Sequence, residues 1–284
     1  MGKSRNRIAR RSATRKPAAL SLVKTTLPSG AGSDLFADGL ARAANAPAEL
    51  IDAATTSLLA GMAEARGPLD AELVMCAAFA AVEAGLPDEA DEEERLEALT
   101  LLLGQVIGHA QTLTTVEALA LLRVCSVLGP ATSRAAAAEA AGQLAAVGVA
   151  DRPWASRVGR PTMLRAWHYG DEFGAQSSVG VLFDYRGREH ALMILVDHLL
   201  GGGIKDCWVA EGRPAKEMRD TVATAMAGNP ETYFEDLDAV AVAGLLGSAL
   251  ANPRCPEQPD QVEDVAKHLH LVQARLEHVA KLAG

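Results

Sequence analysis

Seven ionisable side chains between Met163 and Ala210 are of the types that carry hydrolytic chemistry. They are His168, Asp171, Glu172, Asp197, His198, Lys205 and Asp206. A histidine can act as a general base or a metal ligand, a carboxylate can orient it, and a lysine can stabilise developing negative charge. The catalytic interpretation makes His198 the base or metal ligand, Asp206 its orienting carboxylate and Lys205 the electrophile. The ligand-binding residues are then His168, Asp171, Glu172 and Asp197, with any metal left unidentified.

The spacing of the histidines does not favour a simple metal site. His190 and His198 lie on one face of the same predicted strand, but their eight-residue separation corresponds to about 26 Å of extended chain. Two ligands of one zinc ion each lie about 2 Å from it. The sequence contains no HExxH motif, no GxSxG motif, no dinucleotide-binding fingerprint and no complete phosphate-binding loop. No cofactor is therefore predicted, and a divalent metal enters only in the catalytic alternative.

The same seven residues also have a structural interpretation, which the sequence favours. Asp197 and Lys205 then form a salt bridge, and the remaining side chains form a polar rim around it. Without a complete catalytic motif, nothing in the sequence requires these groups to act on a substrate. The sequence leaves open whether the protein is an enzyme.

The elements that must position these residues are four apolar or alternating segments bounded by glycine-containing turns. They are Met163–Tyr169, Gln176–Tyr185, Arg188–His198 and Ile204–Ala210. Short turns between successive strands predict an antiparallel β-meander. The third segment is apolar on both faces, which predicts a central strand.

Turn lengths predict the register of the strands. A two-residue turn at Arg186–Gly187 gives the pairs Phe183 with His190, Val181 with Leu192, and Gln176 with Asp197. A loop at Leu199–Gly203 gives the pairs Asp197 with Lys205 and His198 with Ile204. Both registers bring the seven ionisable residues to one end of the sheet.

Helical patterns occupy the chain on both sides of this sheet. The pattern over residues 33–150 predicts an α-helical domain, a bundle of Ala/Leu-rich helices. The acidic run from Asp88 to Glu94 is predicted to open one of these helices. Residues 151–284 predict an α+β domain with strands over about 163–210 and helices over about 214–227, 233–251 and 261–283. Thr232 and Glu235 are interpreted as the capping pair of the second of these helices. The predicted fold class is α+β, predominantly α.

The last helix carries apolar residues at alternating spacings of three and four. They are Val262, Val265, Leu269, Val272, Leu276, Val279 and Ala283. Such a seam can join two copies of the chain or another protein. It can equally pack onto the sheet or the preceding helix, and its short length favours this second arrangement.

Charge divides the chain into a basic tail and an acidic body. Residues 1–33 contain eight of the 27 basic residues and no acidic residue, whereas residues 34–284 contain 19 basic and 36 acidic residues, a net charge of −17. Residues 1–32 predict a disordered tail. Such a tail can bind nucleic acid weakly and without sequence preference, or can only keep the protein in solution.

Cysteine usage and hydropathy predict a cytoplasmic protein. The four cysteines are scattered without CxxC spacing, and no apolar run is long enough to cross a bilayer. The short apolar run Ala18–Val23 does not resemble a secretory signal, although an acid-poor leader of this kind also fits a mitochondrial transit peptide. We therefore expect a non-enzymatic cytosolic interaction or regulatory protein whose basic tail meets acidic partners. The alternative is a metal-dependent hydrolase that uses the polar end of the meander.

Overall fold

A computed structural model describes residues 48–87 and 90–283. The predicted basic tail and residues 33–47 lie outside this part of the chain. Five helices come first: α1 (Ala48–Glu64), α2 (Pro68–Ala84), α3 (Glu92–Thr112), α4 (Val116–Cys125) and α5 (Ala131–Ala146). They pack as a bundle around buried leucine, valine and alanine side chains. The N-terminus of α3 forms where predicted, because the Asp91 carboxylate accepts hydrogen bonds from two backbone amides and the Glu94 side chain accepts one from Asp91.

A sheet of five antiparallel strands follows a short 3₁₀ turn at Ala155–Arg157. The strands are β1 (Thr162–Asp171), β2 (Gln176–Asp184), β3 (Glu189–Asp197), β4 (Gly203–Glu211) and β5 (Thr232–Leu237), in the spatial order β4-β3-β2-β1-β5. The predicted four-stranded meander is confirmed. The register of the β2–β3 hairpin is also as predicted, including the pair Gln176 with Asp197.

The register of the β3–β4 hairpin differs from the prediction. Asp197 pairs with Gly203 and Val196 with Ile204, and a bulge separates these pairs from the pair Leu195 with Asp206. The strand ends at Asp197 because its carboxylate accepts hydrogen bonds from the next two free amides, those of Leu199 and Leu200, at 3.1 Å each. His198 therefore belongs to the loop and does not pair with Ile204.

The fifth strand replaces the first turn and a half of a predicted helix. Residues 232–237 form β5 along β1, and the helix that follows is confined to Ala239–Ala251. Asp238 caps that helix by accepting a hydrogen bond from the Ala241 amide at 2.8 Å. The capping role predicted for Thr232 and Glu235 was wrong, since both lie in the strand. Pairing with β1 satisfies backbone groups that a local sequence pattern cannot assign.

Helices cover both faces of the sheet. One face, which includes Trp167 and Met193, packs against α6 (Gly212–Ala227). The other face, which includes Val181 and Ile194, packs against α7 (Ala239–Ala251) and α8 (Pro259–Ala283). The apolar seam of α8 is largely buried in this packing, where the helix contacts β4, α2 and α7. The seam therefore adopts the intramolecular arrangement. None of the described helices is both long and apolar enough to cross a bilayer.

A buried ion pair joins the helical bundle to the α+β part of the chain. Glu72 on α2 and Arg275 on α8 are both almost fully buried, and the Arg275 Nη2 to Glu72 Oε2 distance is 2.6 Å. The Tyr185 hydroxyl and the Gly159 amide also donate to Glu72, at 2.7 and 2.9 Å. Three distant segments are therefore fixed to one carboxylate of α2, and no sequence motif marked any of these residues.

The same guanidinium lies against a stack of aromatic rings. Its carbon is 5.4 Å from the centre of the Tyr185 ring and 5.6 Å from that of Phe183, and the His190 ring stacks on both. Burial, followed by the nearby Arg275 charge, lowers the pKa of His190 to about 3. His190 is therefore a neutral part of the core at physiological pH.

Candidate functional site

The predicted site lies at one end of the sheet, where three connections between elements lie side by side. We call these connections the loop end; they are residues 172–175, 198–202 and 228–231. The His198 amide donates to the Ala175 carbonyl at 3.0 Å, and the Glu172 amide donates to the Glu231 carbonyl at 2.9 Å. These two backbone hydrogen bonds hold the three connections side by side. All seven predicted residues lie in the loop end or on the strands that lead into it.

Asp197 and Lys205 form the predicted salt bridge, although not through the predicted register. Their carboxylate and ammonium groups are 2.7 Å apart, and both residues are buried. Lys205 also contacts Glu257 at 2.6 Å, and the side-chain amide of Gln176 donates to Asp197 at 2.7 Å. Burial alone would raise the pKa of Asp197, but these hydrogen bonds and the lysine charge outweigh it and hold the pKa below its ordinary value. The bulge beside Lys205 lets its side chain reach Asp197.

Asp171 fixes the loop between β1 and β2. Its carboxylate accepts hydrogen bonds from the Ala175 and Gln176 amides at 3.0 and 2.8 Å. Although burial acts in the opposite direction, these amides lower the pKa of Asp171. Glu172, the next residue, is exposed. The two aspartates predicted as binding residues thus use their oxygens to hold loops in place.

Large apolar side chains are exposed at the tips of these two loops. Phe173 and Leu199 are each 77% exposed and Leu200 is 47% exposed. Single exposed apolar side chains are common on protein surfaces, but three on two adjacent, internally hydrogen-bonded loops form a patch. No sequence pattern marked them, because only the pairing of the loops brings them together.

Two further side chains, Ser177 and Tyr233, lie between the two histidines of the predicted site. His198 Nε2 lies 2.8 Å from Ser177 Oγ, and His168 Nε2 lies 3.1 Å from the Tyr233 hydroxyl. The nearby Ser177 hydroxyl opposes the rise in the Tyr233 pKa that burial causes. His168 Nδ1 is 2.9 Å from Glu235. We call Glu235, His168, Tyr233, Ser177 and His198 the polar chain.

Gly170 makes room for the polar chain. It lies on β1, paired with Ser177 on one side and with Tyr233 on the other. A Cβ at this position would be 2.9 Å from the Tyr233 hydroxyl oxygen and 2.6 Å from the Gln176 carbonyl oxygen. The absence of a side chain therefore allows Tyr233 to reach across a whole strand. Tyr233 was missed because its segment was predicted to be helical.

Asp206 does not share the face on which His198 makes its contact. It pairs with Leu195 on the face that packs against α6, whereas Ser177 pairs with Val196 on the opposite face. The carboxylate predicted to orient His198 thus lies across the sheet from the serine that His198 contacts. Asp206 is buried.

Metal binding finds no support in the described part of the chain. Among residues 48–87 and 90–283, no three His, Cys, Asp or Glu side chains are arranged to hold a metal ion. The carboxylates of Asp171 and Asp197 are already occupied by amides and by Lys205. What the loop end offers is therefore a serine–histidine contact and an apolar patch.

Comparison with known proteins gave no match to any protein-family model, curated protein or solved structure.

Proposed function

We propose that this protein is an interaction protein that binds a protein partner through the loop end. One observation carries the proposal: Phe173, Leu199 and Leu200 are exposed on loops whose conformation is fixed by the Asp171 and Asp197 carboxylates. Apolar groups on a pre-organised surface lose little conformational entropy on binding, so they contribute efficiently to affinity. A regulatory role would follow from the partner that is bound.

The charge around the patch defines the chemistry of the partner. Glu172, Glu231 and Glu257 are exposed around it, and the body of the protein is acidic. Complementary potentials favour association, whereas like charges oppose it. We therefore propose a partner segment that presents apolar side chains flanked by lysine or arginine.

Polar substitution of the apolar loop tips, which we call the tip variant, is expected to weaken this binding strongly. The variant Phe173→Ser with Leu199→Ser should bind immobilised Leu/Lys peptides at least about 30-fold more weakly than the unchanged protein, because loss of an interface hot spot costs about 2 kcal/mol. Affinities would be measured by surface plasmon resonance, with Leu/Glu peptides of equal length as the charge-reversed probe.

A double variant on another surface supplies the matched control. Val147 and Val240 are 70% and 62% exposed, so Val147→Ser with Val240→Ser also replaces two exposed apolar side chains by serine and should leave affinity unchanged. Equal binding by the tip variant and the unchanged protein, or equal binding of Leu/Lys and Leu/Glu peptides, would contradict the proposal.

The basic tail is proposed as a second, independent contact with acidic partners. Deleting residues 1–32 removes eight basic residues and is expected to abolish weak binding to a fluorescent single-stranded oligonucleotide. In the full chain this binding should fall steeply with salt, because counterion release drives it. Anisotropy titrations at two salt concentrations measure both effects. Unchanged binding after the deletion would remove the role proposed for the tail.

A cytoplasmic location accompanies this proposal. All four cysteines are free thiols: Cys76, Cys125, Cys207 and Cys255. Three of them are buried, and burial raises the pKa of the Cys76 and Cys125 thiols to about 12. Unpaired thiols support a reducing compartment.

A further inference from the structure

We propose that Ser177 is a nucleophile activated by His198, and that the loop end hydrolyses small activated esters. This inference does not depend on the protein-binding function proposed above. It starts from the 2.8 Å contact between Ser177 Oγ and His198 Nε2, the distance at which an imidazole accepts a hydroxyl proton. It needs no metal ion.

A substrate would approach the Ser177 hydroxyl from the side on which His198 lies. Ser177 is only 5% exposed, but it is the second residue of β2 and lies at the mouth of the loop end. Its partner His198 is an exposed loop residue. A small substrate would therefore reach the serine hydroxyl past the imidazole ring. The neighbouring tips Phe173 and Leu199 offer apolar contact to its acyl group.

The rest of the polar chain orients the serine hydroxyl. In the reactive arrangement Ser177 donates to His198, and the Tyr233 hydroxyl lies beside both Ser177 and His168. In this arrangement the serine hydrogen points at the histidine. Tyr233 lies next to Ser177 and holds its side chain in place, so it is a positioning residue.

The reaction is acyl transfer in two steps. Ser177 Oγ forms a bond to the ester carbonyl carbon, its proton passes to His198 Nε2, and the leaving alcohol departs with that proton when its C–O bond breaks. Water then attacks the acyl-serine in the same way. His198 takes the water proton and returns it to Ser177 Oγ as the carboxylic acid leaves. The products are one acid and one alcohol, with the enzyme regenerated.

The buried neighbour Ser178 provides a matched control. It is 1% exposed and points to the opposite face of the sheet. Purified full-length protein would be assayed with 4-nitrophenyl acetate and labelled with a fluorophosphonate, followed by peptide mass spectrometry. We expect the label on Ser177. Ser177→Ala and His198→Asn should each lower ester hydrolysis at least about 100-fold, the lower end of the contribution of a positioned base. Ser178→Ala should retain it.

A further variant tests whether Tyr233 affects the reaction or only the stability of the fold. Tyr233→Phe keeps the ring but removes the hydroxyl, so it should lower kcat with little change in KM and alter the pH profile. A purely structural Tyr233 would leave both unchanged. Thermal unfolding would show that each variant is folded. The proposal is overturned if folded protein takes up no label, if the label lies on another residue, or if Ser177→Ala hydrolyses the ester as fast as the unchanged protein. Loss of peptide binding in the tip variant does not bear on these outcomes.

Discussion

Replacing Arg275 with alanine is expected to cost about 3–5 kcal/mol of unfolding free energy, because it leaves the Glu72 carboxylate buried without its counter-charge. Glu72 is inaccessible to solvent and lies where α2, α8, the Gly159 turn and Tyr185 meet. Urea denaturation followed by circular dichroism measures the loss.

Two controls identify burial as the cause. Arg188 also joins the sheet to α2, contacting Asp70 and Glu211, but its side chain is 37% exposed. Arg188→Ala should therefore cost about 1 kcal/mol or less. The double variant Glu72→Met with Arg275→Met removes both buried charges and should recover most of the stability lost in Arg275→Ala. If the two single variants were equally stable, or the double variant no better than Arg275→Ala, the buried charge would not be the cause.

Stability is expected to fall steeply as the pH drops from about 6.5 to about 4. Burial lowers the pKa of His190 to about 3 and those of His268 and His270 to about 4, from an ordinary value of 6.5. In this window the unfolded chain binds protons that the folded protein does not, so acid favours unfolding. The stabilising contribution is complete above pH 6.5 and is lost as the pH falls towards the folded-state values. Each histidine contributes about 1.4 kcal/mol per pH unit.

One buried carboxyl opposes this trend. Burial raises the pKa of Glu83, so this group holds a proton in the folded state over part of the same range. Near the middle of this window the net uptake on unfolding is therefore expected to be about two protons, observed as the slope of unfolding free energy against pH. His268→Gln, which removes one of the three histidines, should reduce the slope by about 1.4 kcal/mol per pH unit. A slope near zero between pH 6.5 and 4 would contradict the assignment.

Much of the architecture was predictable because it depends on local patterns. The start of α3 within the acidic run, and the turn at Arg186–Gly187, are set by side chains within a few residues of the backbone they organise. The β2–β3 register follows from that turn. These parts of the prediction were confirmed.

Two parts of the prediction failed for different reasons. The segment before α7 has a residue pattern compatible with a helix, and only tertiary pairing with β1 makes it a strand. The shift of β4 from its predicted register begins with a local turn, in which the Asp197 carboxylate accepts the amides two and three residues further on. Loop length alone does not reveal that turn.

The residues proposed for a site do share one end of the sheet, but most of their contacts differ from those predicted. Sequence placed His168 and His198 at one end, yet Ser177 and Tyr233, which connect them, come from β2 and from a strand predicted to be a helix. The contribution of Gly170 depends on the residues paired with it on both sides. No periodicity reports such a three-strand arrangement.

The amino-acid sequence by itself determined the helical bundle, the four-stranded meander and the end of the sheet where polar groups gather, because hydrophobic periodicity and turn residues act over short distances. The tertiary structure alone decided which of those groups meet. Glu72 and Arg275 are 203 residues apart, and Glu235 and His168 are 67 apart. Such pairs form only when packing removes water and leaves each polar group to find a partner within the fold.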